Sequence, residues 1–313
     1  MNNRTLLIVF GVCLALFLGA KLLKGNKSSS FDDAIVKVDS ASVDHIKFIS
    51  AGNHPEEFEL KRNGKDWVAM KGEMSVPASA ENVGAILSQL SHLTAKRIVT
   101  NDVARYGEYE ITDSLASKVR VWHGKNQVAD LEVGGFRFDQ NTRSAFSFIK
   151  NANKPEVYEV DGFLSMGLKA RFNQFREKQL VKAAQEDLTS IEWIGNGQPK
   201  QVIAKEDGLW YYAGMEAVDS AKFNTYLTGL VGAQGSEFSD LTSAAGLTLL
   251  EKVTLTGNNM IEPTVISAFA AQDTLKPFLI ASSANPDAVF KSDSNGLYKK
   301  IFLDLRPFWP NGK

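Results

Sequence analysis

An internal repeat constrains the fold of this chain more than any other feature of its sequence. The segment VDHIKFIS, from Val43, matches LTSIEWIG, from Leu188, and Trp67 of the first copy corresponds to Trp210 of the second. Each tryptophan follows a glycine-containing turn in an alternating polar and apolar run, which is typical of a β-hairpin. Because further matches follow in the same order, the repeat predicts two tandem copies of one structural unit.

An amphipathic helix is predicted after each tryptophan, since apolar residues recur there with the i, i+3, i+4, i+7 spacing of one helix face. These residues are Val83, Ile86, Leu87 and Leu90 in the first copy and Phe223, Tyr226, Leu227 and Leu230 in the second. Ser79 and Asp219 precede the two stripes and are predicted N-caps.

Short strands complete each copy. SKVRVWHGK parallels EKVTLTGNN, and FNQFREK is echoed by IFLDLRPF, which pairs Arg176 with Arg306 as signature residues of the repeat beside the two tryptophans. Gly134 and Gly135, in DLEVGGFRF, predict a hairpin turn. We therefore predict an α+β fold of two tandem units, 31–183 and 184–313, each a mostly antiparallel sheet covered by an amphipathic helix.

The N-terminal segment predicts a membrane anchor. Leu6 to Leu23 form an apolar run broken only by Lys21, and as a helix this run would be about 27 Å long, enough to span a bilayer core. Leu18 would stand at a disfavoured position for signal-peptide cleavage after Ala20. Residues 1–30 are therefore predicted to be one transmembrane signal anchor with a short spacer, in the inner membrane. The flanking charges slightly favour a cytoplasmic C-terminal side, whereas the short N-terminal tail before a large domain favours a periplasmic domain.

Composition excludes several classes of function. The 313 residues carry a net charge of −1, which gives no field for binding a nucleic acid. The lone cysteine, Cys13, lies in the apolar run, where Val12 before it does not fit a lipoprotein signal. No intrachain disulfide is possible.

No enzyme motif is present in the sequence, so we predict a protein without catalytic residues, cofactor or metal. Metal-ligand spacing is absent around the four histidines, which are His45, His54, His92 and His123. Carboxylate pairs that could share a strand face are Glu56 and Glu57, Glu108 and Glu110, and Asp130 and Glu132. Such charges are common on exposed strand faces, and we interpret them as structural.

Two aromatic segments are candidate interaction surfaces. LWYYAG contains Trp210, Tyr211 and Tyr212, of which one face should be core and the other could meet a partner or glycan. Near the C-terminus, Phe308 and Trp309 stand between two prolines and could dock on their own unit or on a neighbour.

The repeats also resemble a known family. The tryptophan-bearing hairpins, YGEYEIT at Tyr106, AGLTLL at Ala245, VYEV and FREKQLV are similar to a bacterial envelope family recorded as a domain of unknown function. Its members typically have one N-terminal membrane helix and are described beside ABC-type transport and gliding-motility auxiliary components. The resemblance implies an exported, anchored accessory protein, with subunits of an ABC transporter or other envelope proteins as partners.

Two functional hypotheses follow. The first is a non-enzymatic, membrane-anchored envelope accessory that acts as a scaffold for a transport system. The alternative is a protein that binds a ligand or glycan, or an enzyme, using the cleft between the two units.

Overall fold

Two antiparallel β-sheets dominate the computed structural model, which describes residues 34–52, 54–195, 197–212, 216–241, 243–303 and 308. The predicted anchor and spacer, residues 1–30, lie outside these described residues.

Within the described residues, the first sheet contains nine strands. They are β1 (His45–Ser50), β2 (Glu56–Asn63), β3 (Asp66–Lys71), β4 (Met74–Pro77), β5 (Arg97–Thr100), β6 (Ser117–His123), β7 (Asn126–Asp139), β8 (Ser144–Asn151) and β9 (Val157–Asp161). Their order across the sheet is β4-β3-β2-β1-β6-β7-β8-β9-β5. Neighbours in sequence are mostly neighbours in space, as expected for strands joined by hairpins.

The second sheet contains eight strands among the described residues. They are β10 (Leu188–Gly195), β11 (Gln198–Glu206), β12 (Leu209–Tyr212), β13 (Glu216–Ala217), β14 (Leu249–Gly257), β15 (Thr264–Ala270), β16 (Phe278–Ser282) and β17 (Asn285–Ser292). Their order, β13-β12-β11-β10-β14-β15-β16-β17, repeats that of the first sheet without a counterpart of β5.

The helices are short. They are α1 (Ala80–Ser91), α2 (Leu164–Leu168), α3 (Phe172–Phe175), α4 (Ser220–Val231) and α5 (Leu297–Ile301), with 3₁₀ turns at Val103–Tyr109 and Gln185–Asp187. The predicted apolar stripes are confirmed, because the same four residues are buried on α1 and the same four on α4. The predicted N-caps, Ser79 and Asp219, are confirmed as well, since each side chain accepts a backbone hydrogen bond from the first turn.

Equivalent backbone hydrogen bonds define the repeat. The N–H of Ser79 donates to the carbonyl of Phe175 at 2.7 Å, and the N–H of Asp219 donates to that of Phe308 at 2.8 Å. Each unit therefore brings a late aromatic residue back to the start of its long helix. The two units are copies of one another in backbone pairing as well as in sequence.

The start of each unit is also equivalent. Ala34 forms an isolated bridge with Thr94, just after α1, and Gln179 forms one with Gln234, just after α4. In each case an extended segment that precedes the sheet is tied to the chain leaving the long helix. The repeat therefore begins before the first strand of each sheet.

Each unit has its own hydrophobic core. Stacked and tilted rings of Phe48, Phe58 and Phe175 lie at the centre of the first core. Leu180 and Val181 are fully buried in the second core. The predicted division between residues 183 and 184 stays a prediction, while packing assigns these two residues, on its N-terminal side, to the second core.

The predicted α+β class is wrong, because the chain is mainly β. Strands hold more than twice as many of the described residues as helices do. Each long helix has 12 residues and so is about 18 Å long. Nine strands at their usual spacing extend across roughly 38 Å, so such a helix lies over only part of one sheet face. The predicted helices lie where the periodicity places them, but strands, many of them short, hold the larger share of the regular structure.

The predicted turn at Gly134 and Gly135 is also wrong. Strand β7 continues through both glycines, and its register with β8 shifts between Val133 and Phe136, which marks a β-bulge. A side chain at Gly134 would collide with the carbonyl oxygen of Tyr109. The glycines therefore allow the 3₁₀ segment to approach the strand, a role that glycine has at bulges as well as in turns.

Helices of the described residues are all too short or too polar to cross a membrane.

Candidate functional site

The carboxylates that the sequence offers as possible acid–base pairs form ion pairs with Lys and Arg side chains. Asp130 lies 3.3 Å from Arg120 on β6, and Glu132 lies 2.8 Å from Lys150 on β8. Both are cross-strand pairs between directly opposite residues. The other ion pairs are Glu56 with Lys71, Glu57 with Lys47, Glu108 with Arg105 and Glu110 with Lys169. These carboxylates therefore contribute to the packing of the sheet and its connections.

The histidines are dispersed. The ring of His45 stacks on Trp122 at 4.4 Å, and burial lowers the pKa of His45. His92 is the C-cap of α1, with Nδ1 at 2.9 Å from the carbonyl oxygen of Ser88. His54 and His123 are exposed. Among the described residues, no group of three or more His, Cys, Asp or Glu side chains could hold a metal ion.

Some of the aromatic residues predicted to form an interaction surface are buried in the core, and others are only half-buried. Trp210 and Phe308 are buried, and each ring contacts Phe223, at 5.1 and 5.4 Å. Tyr211 and Tyr212 are half-buried on β12. Trp309 lies outside the described residues, so its part in an interaction surface stays a prediction.

The signature tryptophans occupy equivalent positions. Both are buried, and a cation from the neighbouring strand lies over each ring: Arg62 at 5.2 Å from Trp67, and Lys205 at 5.8 Å from Trp210. This geometry stabilises the hairpin that carries each tryptophan. The twin tryptophans are therefore structural residues of the repeat.

Arg176 joins the two units. It is buried, its guanidinium lies 3.8 Å from the ring centroid of Phe238, and it donates a 3.0 Å hydrogen bond to the carbonyl of Asp287. Burial lowers the pKa of Arg176, and the charge of Asp287 opposes this shift. Arg306 lies outside the described residues, and the match of Phe308 with Phe175 places it three positions before the counterpart of Arg176.

The most distinctive surface feature is a group of exposed apolar side chains on the first unit, which we call the aromatic cluster: Phe136, Phe138, Phe163 and Met166. The ring of Phe163 lies 5.3 Å from Phe136 and 6.3 Å from Phe138. The four side chains are 45 to 60% exposed. Because exposed apolar side chains are normally scattered singly, such a group marks a contact surface.

Two local devices build the aromatic cluster. The bulge in β7 places Phe136 opposite Ser147 of β8. The hydroxyl of Ser147 accepts a 2.9 Å hydrogen bond from the N–H of Ser165 and donates one to the carbonyl of Gly162. These bonds fix the start of α2 over the strand, so that Phe163 lies against the two phenylalanines of β7.

Sequence reasoning missed the aromatic cluster. The predicted hairpin assigns Phe136 and Phe138 to the arm after a turn, where the structure has a continuous strand with a bulge. Phe163 and Met166 fall in a segment without periodicity. A comparison of the two repeat copies could have indicated the aromatic cluster. α2 and α5 have equal length, and their alignment replaces Phe163 by Gly296 and Met166 by Lys299.

Comparisons with known proteins give a family and no function. The family model described as a domain of unknown function, DUF4340, matches residues 67–249. No curated protein and no solved structure matches the chain significantly. The resemblance to a family of unknown function is thus confirmed at that level. Because the match covers more than half of the 313 residues, the chain belongs to the DUF4340 family.

Proposed function

We propose that this protein is a membrane-anchored, non-enzymatic accessory of the bacterial envelope, auxiliary to an ABC-type transport system. In this proposal the N-terminal apolar segment is a single-pass anchor in the inner membrane, and the two β units lie on the periplasmic side. The length of the apolar run and the resemblance of the repeats to anchored envelope proteins support it.

One observation favours a binding function over a catalytic one. The carboxylates that the sequence offers as acid–base pairs are engaged in ion pairs such as Asp130–Arg120 and Glu132–Lys150, whereas four apolar side chains of the first unit are left exposed together. A catalytic site needs polar groups directed at a substrate, and a contact surface needs exposed apolar area.

The mechanism would be positioning. The anchor holds the first unit at the membrane, and contacts of Arg176 with Phe238 and Asp287 attach the second unit to the first. The second unit then presents its own surface, which includes the half-buried Tyr211 and Tyr212 of β12, to a subunit of the transporter. A relatively polar surface of this kind is usual for a non-obligate interface.

In-cell photocrosslinking of the full-length chain tests the proposal. A photoreactive amino acid at Tyr211 is compared with one at Ile261, an exposed residue of the same unit in the β14–β15 connection. We expect position 211 to give crosslinks to a permease or ATPase subunit of an ABC transporter, identified by mass spectrometry, and position 261 to give none. Equal crosslinking at both positions, or recovery of the chain alone, would contradict the accessory role.

A further inference from the structure

We propose that the aromatic cluster of the first unit contacts the lipid bilayer, so that this unit is held to the membrane surface as well as tethered to it. This inference rests on the proposed membrane anchor, and it adds a second membrane contact, made by the folded part of the first unit. Phenylalanine and methionine side chains have no polar atom that a protein surface must satisfy, and they suit the boundary between headgroups and acyl chains.

The segment between the predicted anchor and Ala34, which we call the tether, joins the first unit near the aromatic cluster. The described chain begins at Ala34, which bridges Thr94. Two residues later, the N–H of Lys96 donates to the carbonyl of Glu159, and its ammonium lies 3.0 Å from the carboxylate of Asp161. Phe163 of the aromatic cluster follows Asp161 by two residues. The chain from the predicted anchor therefore enters the first unit at the end of the sheet that carries the aromatic cluster.

The length of the tether is the second argument. Ten residues, 24–33, separate the predicted anchor from Ala34, and even when fully extended they span no more than about 35 Å. Such a short connection keeps the aromatic cluster at a high effective concentration near the bilayer. Insertion of a few side chains, which alone would give weak and reversible binding, becomes favourable when a second attachment is already made.

Charges beside the aromatic cluster agree with a headgroup environment. Arg143 is exposed in the β7–β8 turn, close in sequence to the phenylalanines of β7. Arg137, between those two phenylalanines, points to the opposite face of the strand, where it pairs with Glu159. The carboxylate of Asp139, the last residue of β7, accepts hydrogen bonds from the backbone N–H groups of Asn141 and Thr142 in that turn. An exposed arginine such as Arg143 can bind the phosphate of a lipid headgroup.

The second unit provides an internal contrast. Its counterpart of α2 carries Gly296 and Lys299 in place of Phe163 and Met166. Phe278, at the start of β16, stacks on Tyr298 at 3.7 Å and is partly buried against the second core. The aromatic cluster is thus not repeated at the equivalent positions of α5, and it belongs to the unit that directly follows the predicted anchor.

The test places one fluorophore at each of two equivalent positions in the full-length chain. In a C13S background, which removes the lone cysteine, M166C and K299C are labelled with an environment-sensitive dye; both original residues are exposed. The proteins are reconstituted in vesicles of phosphatidylethanolamine and phosphatidylglycerol containing brominated lipid. We expect lipid quenching to be at least about twofold stronger at position 166 than at position 299, because only the first dye would reach the acyl boundary.

Two further readouts separate the outcomes. Replacing Phe136 and Phe138 by serine in the M166C chain should reduce the quenching; quenching that persists would come from the dye itself and would overturn the proposal. Equal quenching at both positions would overturn it too. A label at 166 that is shielded from water but not quenched by lipid would indicate a protein contact instead. A chain that does not float with the vesicles would refute the anchor, and the lipid contact with it.

Discussion

The two units share one strand order and differ in how the far edge of the sheet is closed. In the first unit, β5 pairs with β9 along the edge. In the second, the chain makes a single bridge, Phe238 with Phe290, at the position where Ile98 meets Tyr158 in the first. Duplication has therefore preserved the place of the contact but not its length.

At this edge each unit has an ion pair between equivalent positions, and the two pairs have opposite orientations. Arg97 lies 2.8 Å from Glu159 in the first unit, and at the equivalent positions Glu237 lies 3.7 Å from Lys291 in the second. The sign of each charge is reversed and the attraction is kept. The contact between the edge segments is therefore maintained in both units by complementary charges, in opposite orientations.

The largest effect is expected at the residue that follows the bridge after each long helix. This residue is Ala95 in the first unit and Gly235 in the second, where a methyl group would overlap the fully buried ring of Phe290. We expect Gly235→Ala to destabilise the second unit by about 3 kcal/mol through overpacking. The reverse change, Ala95→Gly, should cost the first unit about 1 kcal/mol, because a buried methyl group is lost and the unfolded chain gains backbone freedom. Denaturant titration followed by hydrogen exchange of β9 and β17 measures both, and equal costs would show that the two edges are packed alike.

The exchanged ion pairs should differ in strength. The side chain of Glu159 is 3% exposed and binds both Arg97 and Arg137, so Glu159→Ala leaves two cations facing a buried gap and should cost about 2 kcal/mol. Lys291→Ala should cost less than about 1 kcal/mol, because this pair is exposed and Glu237 keeps its contact with Lys276. The comparison of unfolding midpoints decides this, and a larger loss for Lys291→Ala would reverse the assignment of the stronger edge.

Alkaline pH should affect the second unit first. Tyr226 takes the place of Ile86 on the long helix, and its hydroxyl donates a 2.9 Å hydrogen bond to the carbonyl of Ile301. Burial raises the pKa of Tyr226 above its ordinary value of 10. The folded state therefore retains a proton that the unfolded state loses, so stability is complete below pH 10 and falls as the pH rises above it. Tyr226→Phe should cost about 1 kcal/mol at neutral pH and should weaken the alkaline loss, measured by hydrogen exchange of α4; an unchanged profile would exclude Tyr226 as its cause.

Acid should have the smallest effect, and it should fall on the first unit. His45 replaces Ser190 of the second unit, and burial lowers its pKa from 6.5. The stabilising contribution of neutral His45 is thus complete above pH 6.5 and is lost as the pH falls below it. We expect less than about 1 kcal/mol, since the ring is only partly buried against Trp122. Hydrogen exchange of β1 in wild type and in His45→Gln should show this difference, and a variant with the same pH profile would assign the acid sensitivity elsewhere.

The sequence predicted best the parts that repeat a strong local period. The stripes of α1 and α4, their caps and the paired tryptophans follow from helix and hairpin patterns, and each has two independent instances in the chain. The fold class was predicted wrongly because each short strand between these motifs has a weak sequence signal, although the strands together contain more residues than the helices. Local patterns therefore located the elements but misjudged their proportions.

The aromatic cluster could not be predicted for a different reason. Alternation assigns strand faces by counting residues, and the bulge after Val133 changes the count, so that Phe136 and Phe138 lie on the face toward α2. A hydrogen-bonded pair far apart in sequence, Ser147 and Ser165, then brings Phe163 to them. Such a surface depends on tertiary contacts and on one register shift, neither of which a single sequence reports.

The short passage between the cores has a mechanical consequence. Phe175 belongs to the first core and Leu180 to the second, so the four residues between them can extend to no more than about 14 Å. A pull or rotation applied to one unit is transmitted to the other with little slack. If the first unit is fixed to a surface, the position of the second is set by this short segment, in which Arg176 and Glu177 are bound to β17.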